Sequence, residues 1–319
     1  MAAARRIVYL SWPAGEISGG IKAAFQHVEI LREGGIEAVI ATEDGQAPSW
    51  FATPVPVVTL EAIVPSDVLV FPENHAGLLE RFAGAAMPKL VFCQNPYQVH
   101  RGLGQRTSSA DVGVSALLVP SRTLVQFCRR RFPALPVHYT PFFIDGARFA
   151  APARKQLQIA CAPRKRPLEA GAILDLFRAT HPQYAGIGWQ VLQNASESLV
   201  AQVLGESAVY LSLARLEAHA MSTLEAMASG CVVAGFTGNA AGSDSATPAN
   251  GFWAAEDDIV GCVDRLAQAV ALVVAGGPAY QGVVQAGLRT AHAYRRDEAA
   301  RLLLAFWRGW LQEQAPPPS

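Results

Sequence analysis

Short apolar runs alternate with helix-spaced segments along most of the chain, and this alternation restricts the fold more than any other feature. Ile7 to Ser11 reads as a buried strand, followed by Ser18-Gly19-Gly20 and a helical stretch from Ile21 to Glu33, which Gly34-Gly35 stops. Glu37 to Ala41, Asp67 to Phe71, Lys89 to Cys93 and Leu117 to Pro120 continue the strand series, and Ser121 is placed to cap a helix from Arg122 to Arg131. A proline cluster at Pro133, Pro136, Pro141 and Pro152 reads as an extended crossing. Beyond it the alternation restarts. Strands are expected at Gln158 to Ala162, Trp189 to Leu192, Val209 to Leu213 and Val232 to Phe236, and helices at Pro167 to Thr180, Ser196 to Leu204, Thr223 to Ser229 and Asp257 to Val274. A last helix from Arg295 to Gln312 carries Ala299, Leu302, Leu303, Phe306 and Trp310 on one face, a core-packing stripe rather than a membrane-surface one. Pro316-Pro317-Pro318 reads as a frayed end.

The expected architecture is thus two doubly wound α/β domains. The first spans residues 1–145 and the second 146–292, while a terminal segment, 293–319, packs back on the first. With 319 residues, 51% of them hydrophobic and 16% charged, both halves can bury a core. A formal net charge of zero gives no electrostatic reason to bind nucleic acid or an anionic membrane. Cys93, Cys128, Cys161, Cys231 and Cys262 are odd in number and widely spaced, so free buried thiols are expected rather than a disulfide framework or a zinc site. Neither a signal peptide nor a spanning helix is expected, which suits a cytoplasmic protein. Nothing in the pattern sets an oligomeric state.

In open α/β sheets ligands sit beyond the carboxyl ends of the strands, so polar residues at those positions are the candidates. After Val209-Tyr210-Leu211-Ser212-Leu213 the chain reads Ala214-Arg215-Leu216-Glu217-Ala218-His219-Ala220-Met221-Ser222-Thr223-Leu224-Glu225-Ala226-Met227-Ala228-Ser229-Gly230. One acid follows a strand and a second lies eight positions later near a helix start, where free amides favour a diphosphate. Ala162-Pro163-Arg164-Lys165-Arg166-Pro167 follows another strand and offers fixed positive charge. Ser222 and Glu225 also have the spacing of a capping box, so Glu225 either closes the helix or contacts a ligand.

The segment from Glu217 to Gly230, with Val232 to Gly238 and Asn250-Gly251-Phe252-Trp253 after it, resembles the E-x7-E region of retaining GT-B glycosyltransferases of the GT4-like group. The resemblance covers most of the second half; in the first half, Ser18-Gly19-Gly20 looks like the family's N-terminal glycine loop. It implies two Rossmann-like domains facing a cleft and transfer of a sugar, with retention, from a nucleotide-diphosphate sugar to a hydroxyl acceptor on a glycan or other glycoconjugate, as in polysaccharide biosynthesis. No further cofactor and no metal are implied. Glu217 would face the donor sugar and Glu225 the ribose. Amides of Met221, Ser222 and Thr223 would meet the diphosphate. Arg164 with Lys165 or Arg166 would clamp it, and Gly19, Gly20 and His219 would border the donor. Backbone near 188–194 would touch the base. Glu73, Asn95 and Tyr97 follow first-half strands and are the acceptor-side candidates; His75 and His100 are further candidate polar groups, although a lone His is more often structural. The loop Gly238-Asn239-Ala240-Ala241-Gly242 either borders the donor or is an ordinary connection.

The chain departs from the family at Glu217-Ala218-His219-Ala220, where the family has Glu-Gly-Phe-Gly. Glycines there allow positive φ and close approach to phosphate. The replacement motivates a second reading, a non-catalytic module that binds nucleotide or glycan and supports a partner. A sugar-nucleotide epimerase matches this segment less well, and a dehydrogenase lacks its GxGxxG.

Overall fold

The computed structural model describes residues 5–105, 113–239 and 245–314. They form two compact units: the residues up to Phe143 together with those from Arg296 onward, and Ile144–Arg295.

The first unit carries strands β1 (Ile7–Leu10), β2 (Ala38–Thr42), β3 (Val57–Thr59), β4 (Val68–Pro72), β5 (Lys89–Phe92), β6 (Val114–Val119) and β7 (Val137–Tyr139), with helices α1 (Gly19–Glu33), α2 (Ala76–Arg81) and α3 (Arg122–Arg131). All neighbours pair in parallel in the order β3-β2-β1-β4-β5-β6-β7. The order reverses direction between β1 and β4, as in a dinucleotide-binding sheet. β1, β2, β4 and β5 are buried along their whole length, which is why they read as unbroken apolar runs.

The second unit carries β8 (Gln156–Cys161), α4 (Pro167–Thr180), β9 (Gly188–Val191), α5 (Glu197–Glu206), β10 (Ser207–Ala214), α6 (Met221–Ala228), β11 (Val232–Thr237), β12 (Gly251–Ala254), α7 (Ile259–Ala275) and α8 (Gly277–His292). Its strands are parallel in the order β12-β11-β10-β8-β9. Here the reversal falls between β8 and β10. The core packs Ile159, Val209, Leu211, Val232 and Phe236 of the strands against Ile173 and Phe177 of α4 and Cys262, Leu266 and Val270 of α7.

The final helix, α9 (Arg296–Glu313), belongs to the first unit. Arg296 pairs with Glu29 at 3.0 Å and Glu33 at 2.7 Å on α1, and the Arg308 guanidinium donates to the Gly34 carbonyl at 3.2 Å. The buried face is Ala299, Leu303, Trp307 and Trp310, whereas Leu302 and Phe306 of the expected stripe are only partly covered. The stripe therefore turns toward Trp307, which is completely buried.

Several elements differ from the sequence expectation. β7 lies within the proline cluster, because Pro136 and Pro141 flank the strand rather than interrupt it. β3, α2, β12 and α8 went unread: three are short, and α8 is broken from α7 only at Gly276-Gly277, both with positive φ. Gly19 and Gly20 do not form a loop between strand and helix. They are the first turn of α1, capped by the Ser18 side chain, which accepts from the Gly20 amide. Pro316-Pro317-Pro318 lies outside the described residues.

Among the described residues no single helix is long and apolar enough to cross a membrane. All five cysteines are free and buried. Truncation of the buried Trp307 leaves a large cavity between α9 and its own unit, so Trp307→Ala is expected to lower unfolding stability by about 3–5 kcal/mol in a denaturant titration. A loss under about 1 kcal/mol would mean that α9 docks independently of this side chain.

Candidate functional site

The second unit gathers its polar residues where the strand order reverses. β8 and β10 are adjacent, and their carboxyl ends send successive loops to opposite faces of the sheet. From the β8 end a short 3-10 turn, Pro163–Lys165, presents Arg164 and Lys165. From the β10 end the chain turns through Arg215-Leu216 to Glu217. The Lys165 ammonium lies 2.5 Å from Glu217 Oε1 and also donates to the Arg215 carbonyl at 3.3 Å. This ion pair spans the reversal. Arg164 is exposed and makes no ion pair among the described residues.

Glu217 is half-buried, and burial pushes its carboxyl above the ordinary carboxylate range; the ammonium of Lys165 and the charges of Arg164 and His219 pull it back. Its amide donates to the Gly238 carbonyl at 2.9 Å. The residue before it, Leu216, has φ 51°, a left-handed conformation that costs a non-glycine residue on the order of 1 kcal/mol. That single inverted residue aims the acid. Neither Ala218 nor Ala220 has positive φ, so the backbone of this loop needs no glycine at either position.

α6 begins at Met221, two residues before the capping box, with Ser222 as its N-cap, would start it. Ala220 is its N-cap and offers no side-chain bond, so Ser222 and Glu225 do not form the reciprocal box. The Thr223 amide is already bonded to the Ala220 carbonyl at 3.1 Å. The amides of Met221 and Ser222 take no acceptor among the described residues. Of the three amides expected at a diphosphate, these two are open. The Thr223 hydroxyl is buried at 3.1 Å from the Ser212 hydroxyl, which donates to the Phe236 carbonyl at 2.7 Å. Glu225 is buried in the second turn of α6. His219 meets the Tyr294 hydroxyl through Nε2 at 3.0 Å.

Arg166 is placed differently from the donor contact expected of it. Its side chain is 1% exposed and lies over the Phe236 ring, 4.3 Å from guanidinium carbon to centroid. It donates to the Ala214 carbonyl at 3.0 Å, to Glu256 at 2.6 Å and to Asp257. Buried and engaged by a carbonyl and two carboxylates, this guanidinium is committed to the protein, and of the two remaining basic residues Lys165 is the one that meets Glu217. Sequence reasoning missed Glu256, because its signal, an acid just after a strand, depends on β12 being recognised.

Two expected features are placed only in part. The 188–194 segment is β9 and the turn after it, with Asn194 at φ 49°. In the Gly238–Gly242 loop, 240–242 lie outside the described residues.

In the first unit, the reversal between β1 and β4 carries Trp12 stacked on His75 at 4.0 Å, with the indole N–H donating to Asn74 Oδ1 at 2.9 Å. His75 Nδ1 accepts the Leu78 amide and so caps α2. Gln94 reaches the Gly20 carbonyl at 3.1 Å. Glu73 is 3% exposed; burial pushes its carboxyl up to about 7 against the amides of Glu73, Gln94 and Asn95 that hold it. The acceptor contact expected of it is corrected accordingly: this group faces inward. Asn95 Oδ1 accepts the Tyr97 amide at 2.9 Å, a local turn, and both side chains remain partly exposed. Among the described residues no group of three or more His, Cys, Asp or Glu side chains is arranged to hold a metal ion.

No family model matches the chain. It is 27% identical over 239 residues to an alpha-1,6-glucosyltransferase of Actinobacillus pleuropneumoniae serotype 7 (strain AP76), an alignment covering 72% of each protein. Its fold is similar to that of sucrose-phosphate synthase from Thermosynechococcus elongatus (TM-score 0.69, 13% identity, 97% of this chain and 100% of the other). It is also similar to a glycosyltransferase from Rickettsia africae ESF-5 (TM-score 0.69, 11% identity, 98% and 100%) and to Anabaena HepE in complex with UDP and glucose (TM-score 0.65, 12% identity, 96% and 100%). These likenesses fix the fold as two Rossmann-like units of the GT-B glycosyltransferase type.

Two outcomes follow from the electrostatics. Lys165→Met removes the charge that offsets burial, so the Glu217 carboxyl should titrate higher than in the wild type when followed by carboxylate carbon NMR; an unchanged or lower midpoint would show that the pair is not formed in solution. Glu73 is raised from 4.5 to about 7, so its contribution is full below pH 4.5 and lost as pH rises through 7. Wild-type stability relative to Glu73→Gln should therefore fall by about 3 kcal/mol across that window and level off above it. A flat difference would mean the carboxyl is solvated.

Proposed function

We propose that the chain is a retaining, GT4-like glycosyltransferase that moves a sugar from a nucleotide-diphosphate sugar to a hydroxyl acceptor on a glycan or related glycoconjugate. The observation that carries this reading is the grouping at the β8–β10 reversal: an acid, two cations and the open amides of a helix N-terminus, all in the second unit. Support also comes from the relative named as an alpha-1,6-glucosyltransferase and from the fold shared with a protein held with UDP and glucose. A glucosyl donor on uridine diphosphate is the first to try.

In this reading the diphosphate lies against the Met221 and Ser222 amides and is met by Arg164 and Lys165. Lys165 is a single charge shared between Glu217 and the incoming phosphate. As the glycosidic bond to the diphosphate breaks, negative charge grows on the leaving oxygen, and fixed cations with oriented amides stabilise it without reorganisation. Glu217 lies toward the sugar, where its carboxylate accepts hydroxyl hydrogens and orients the ring. Glu225 serves the ribose. The leaving phosphate takes the acceptor proton on the same face, so the configuration is retained. The chemistry calls for neither a metal nor a second carboxylate spaced for glycoside hydrolysis. Five free thiols suit a cytoplasmic setting.

A non-catalytic module is the second reading, motivated by Ala218 and Ala220. It is disfavoured by their ordinary backbone, which requires no glycine at either position. A panel of nucleotide-sugars, assayed for released nucleotide and glycosylated product with candidate acceptors, separates the two. Turnover is expected with at least one donor, and Glu217→Gln should lower kcat by about 100-fold or more while the melting curve stays in place. Nucleotide binding without product from any donor would favour the module, and wild-type rates in the variant would remove Glu217 from the chemistry.

A further inference from the structure

The hydrogen bonds that hold the Glu217 backbone form a closed ring. The Glu217 amide donates to the Gly238 carbonyl at 2.9 Å. The Gly238 amide donates to Glu256 Oε1 at 2.8 Å, and Glu256 Oε2 accepts from Arg166 at 2.6 Å. Arg166 Nε then donates to the Ala214 carbonyl at 3.0 Å, three residues before Glu217. The Thr237 hydroxyl also reaches Glu256 Oε1, at 3.3 Å. The ring thus ties together the carboxyl ends of β8, β10, β11 and β12.

Two further observations show what the ring restrains. The described residues contain three non-glycine positions with positive φ, and two of them flank this ring: Leu216 at 51° and Asp257 at 65°, the latter bonded to Arg166. Gly238, at φ 79°, packs so closely under the β10 exit that an added Cβ would lie 2.7 Å from Ala214 Cβ and 3.1 Å from the Arg215 amide. An inverted, exposed leucine relaxes unless the chain on both sides is fixed. Arg166 is buried at 1% exposure with its guanidinium bonds satisfied, the condition under which a buried charge is tolerated.

We infer that Arg166 and Glu256 are positioning residues: through the Ala214 and Gly238 backbone they hold the Leu216 inversion that presents Glu217 to Lys165. This rests on the transferase reading for its effect on rate, but not for its effect on the loop. Both act through protein groups alone: Arg166 through the Ala214 carbonyl and Glu256 through the Gly238 amide.

The test uses the full chain with Glu256→Gln and, as a second variant, Arg166→Lys, which keeps the charge and loses the planar fork. Three readouts are taken: hydrogen exchange at the Glu217 and Gly238 amides, the Glu217 carboxyl titration, and donor kinetics. In Glu256→Gln, exchange at those two amides should speed by tenfold or more relative to central β10 and β11 amides. The Glu217 midpoint should rise as Lys165 loses its register, and kcat should fall about tenfold with donor KM within twofold of wild type. Arg166→Lys should move all three in the same direction, and Glu256→Asp, which keeps the charge, should recover part of the exchange protection. A lower melting temperature with unchanged Glu217 exchange and titration would overturn the proposal and leave the ring a purely structural brace. If wild type turns over no donor, the transferase reading fails, while exchange and titration still decide the positioning role. Should one variant not fold, the other carries the same measurements.

Discussion

Parallel pairing with a reversal of strand order is the constraint on which the candidate site depends. Adjacent β8 and β10 are not consecutive in the chain, so the connections leaving their carboxyl ends diverge to opposite faces of the sheet. In open parallel sheets such a divergence is where ligands are bound. Lys165 comes from one side and Glu217 from the other, and their ion pair crosses it. The same topology puts the N-terminus of α6 beside the β10 exit, since α6 must start there to return the chain to β11. Charge, acid and amides are thus consequences of one connectivity rather than separate acquisitions.

Arg166 shows how the charge at this edge is divided. Three basic residues in succession cannot share one direction, and the 3-10 turn at Pro163–Lys165 separates them. Arg164 faces out, Lys165 meets Glu217, and Arg166 turns inward over Phe236 to acids that follow β12. A buried guanidinium is tolerated only with its donors satisfied, and the Ala214 carbonyl, Glu256 and Asp257 supply that. The planar fork of the inward residue serves a carbonyl and two carboxylates while its face lies on the Phe236 ring.

How much of this was legible in the sequence follows from the range of each signal. Ser121 capping α3 and Pro167 opening α4 are local, and both elements fall where the sequence places them. The stretch from Val209 to Gly230 showed an acid after a strand and a helix start, and both are present. The capping box was a local alternative, but the helix starts two residues earlier, at Met221, where Thr223 bonds to Ser212 from inside the first turn. The direction of Arg166 was not legible, since it is decided by acids some ninety residues away beyond an unread strand. Likewise Glu73 carried the polarity of an edge residue, yet the amides of Gln94 and Asn95 draw it inward. Sequence shows which groups arrive at a strand end; which way each turns depends on neighbours that only the fold brings together.

The alanines at 218 and 220 bear on whether a departure from a motif disables a site. Glycine is required where φ is positive or where a Cβ would collide. Neither condition holds at these positions: both alanines are buried, and the loop's inverted residue is Leu216, ahead of the acid. A glycine is required instead at Gly238, which has positive φ and packs beneath Ala214 and Arg215. In this chain the inverted backbone lies before the acid, at Leu216, and across from it, at Gly238. A leucine in a left-handed conformation is less forgiving than a glycine, so this arrangement needs a firmer brace. The buried Arg166 with its carboxylate partners is the feature of this edge with the strength to provide it.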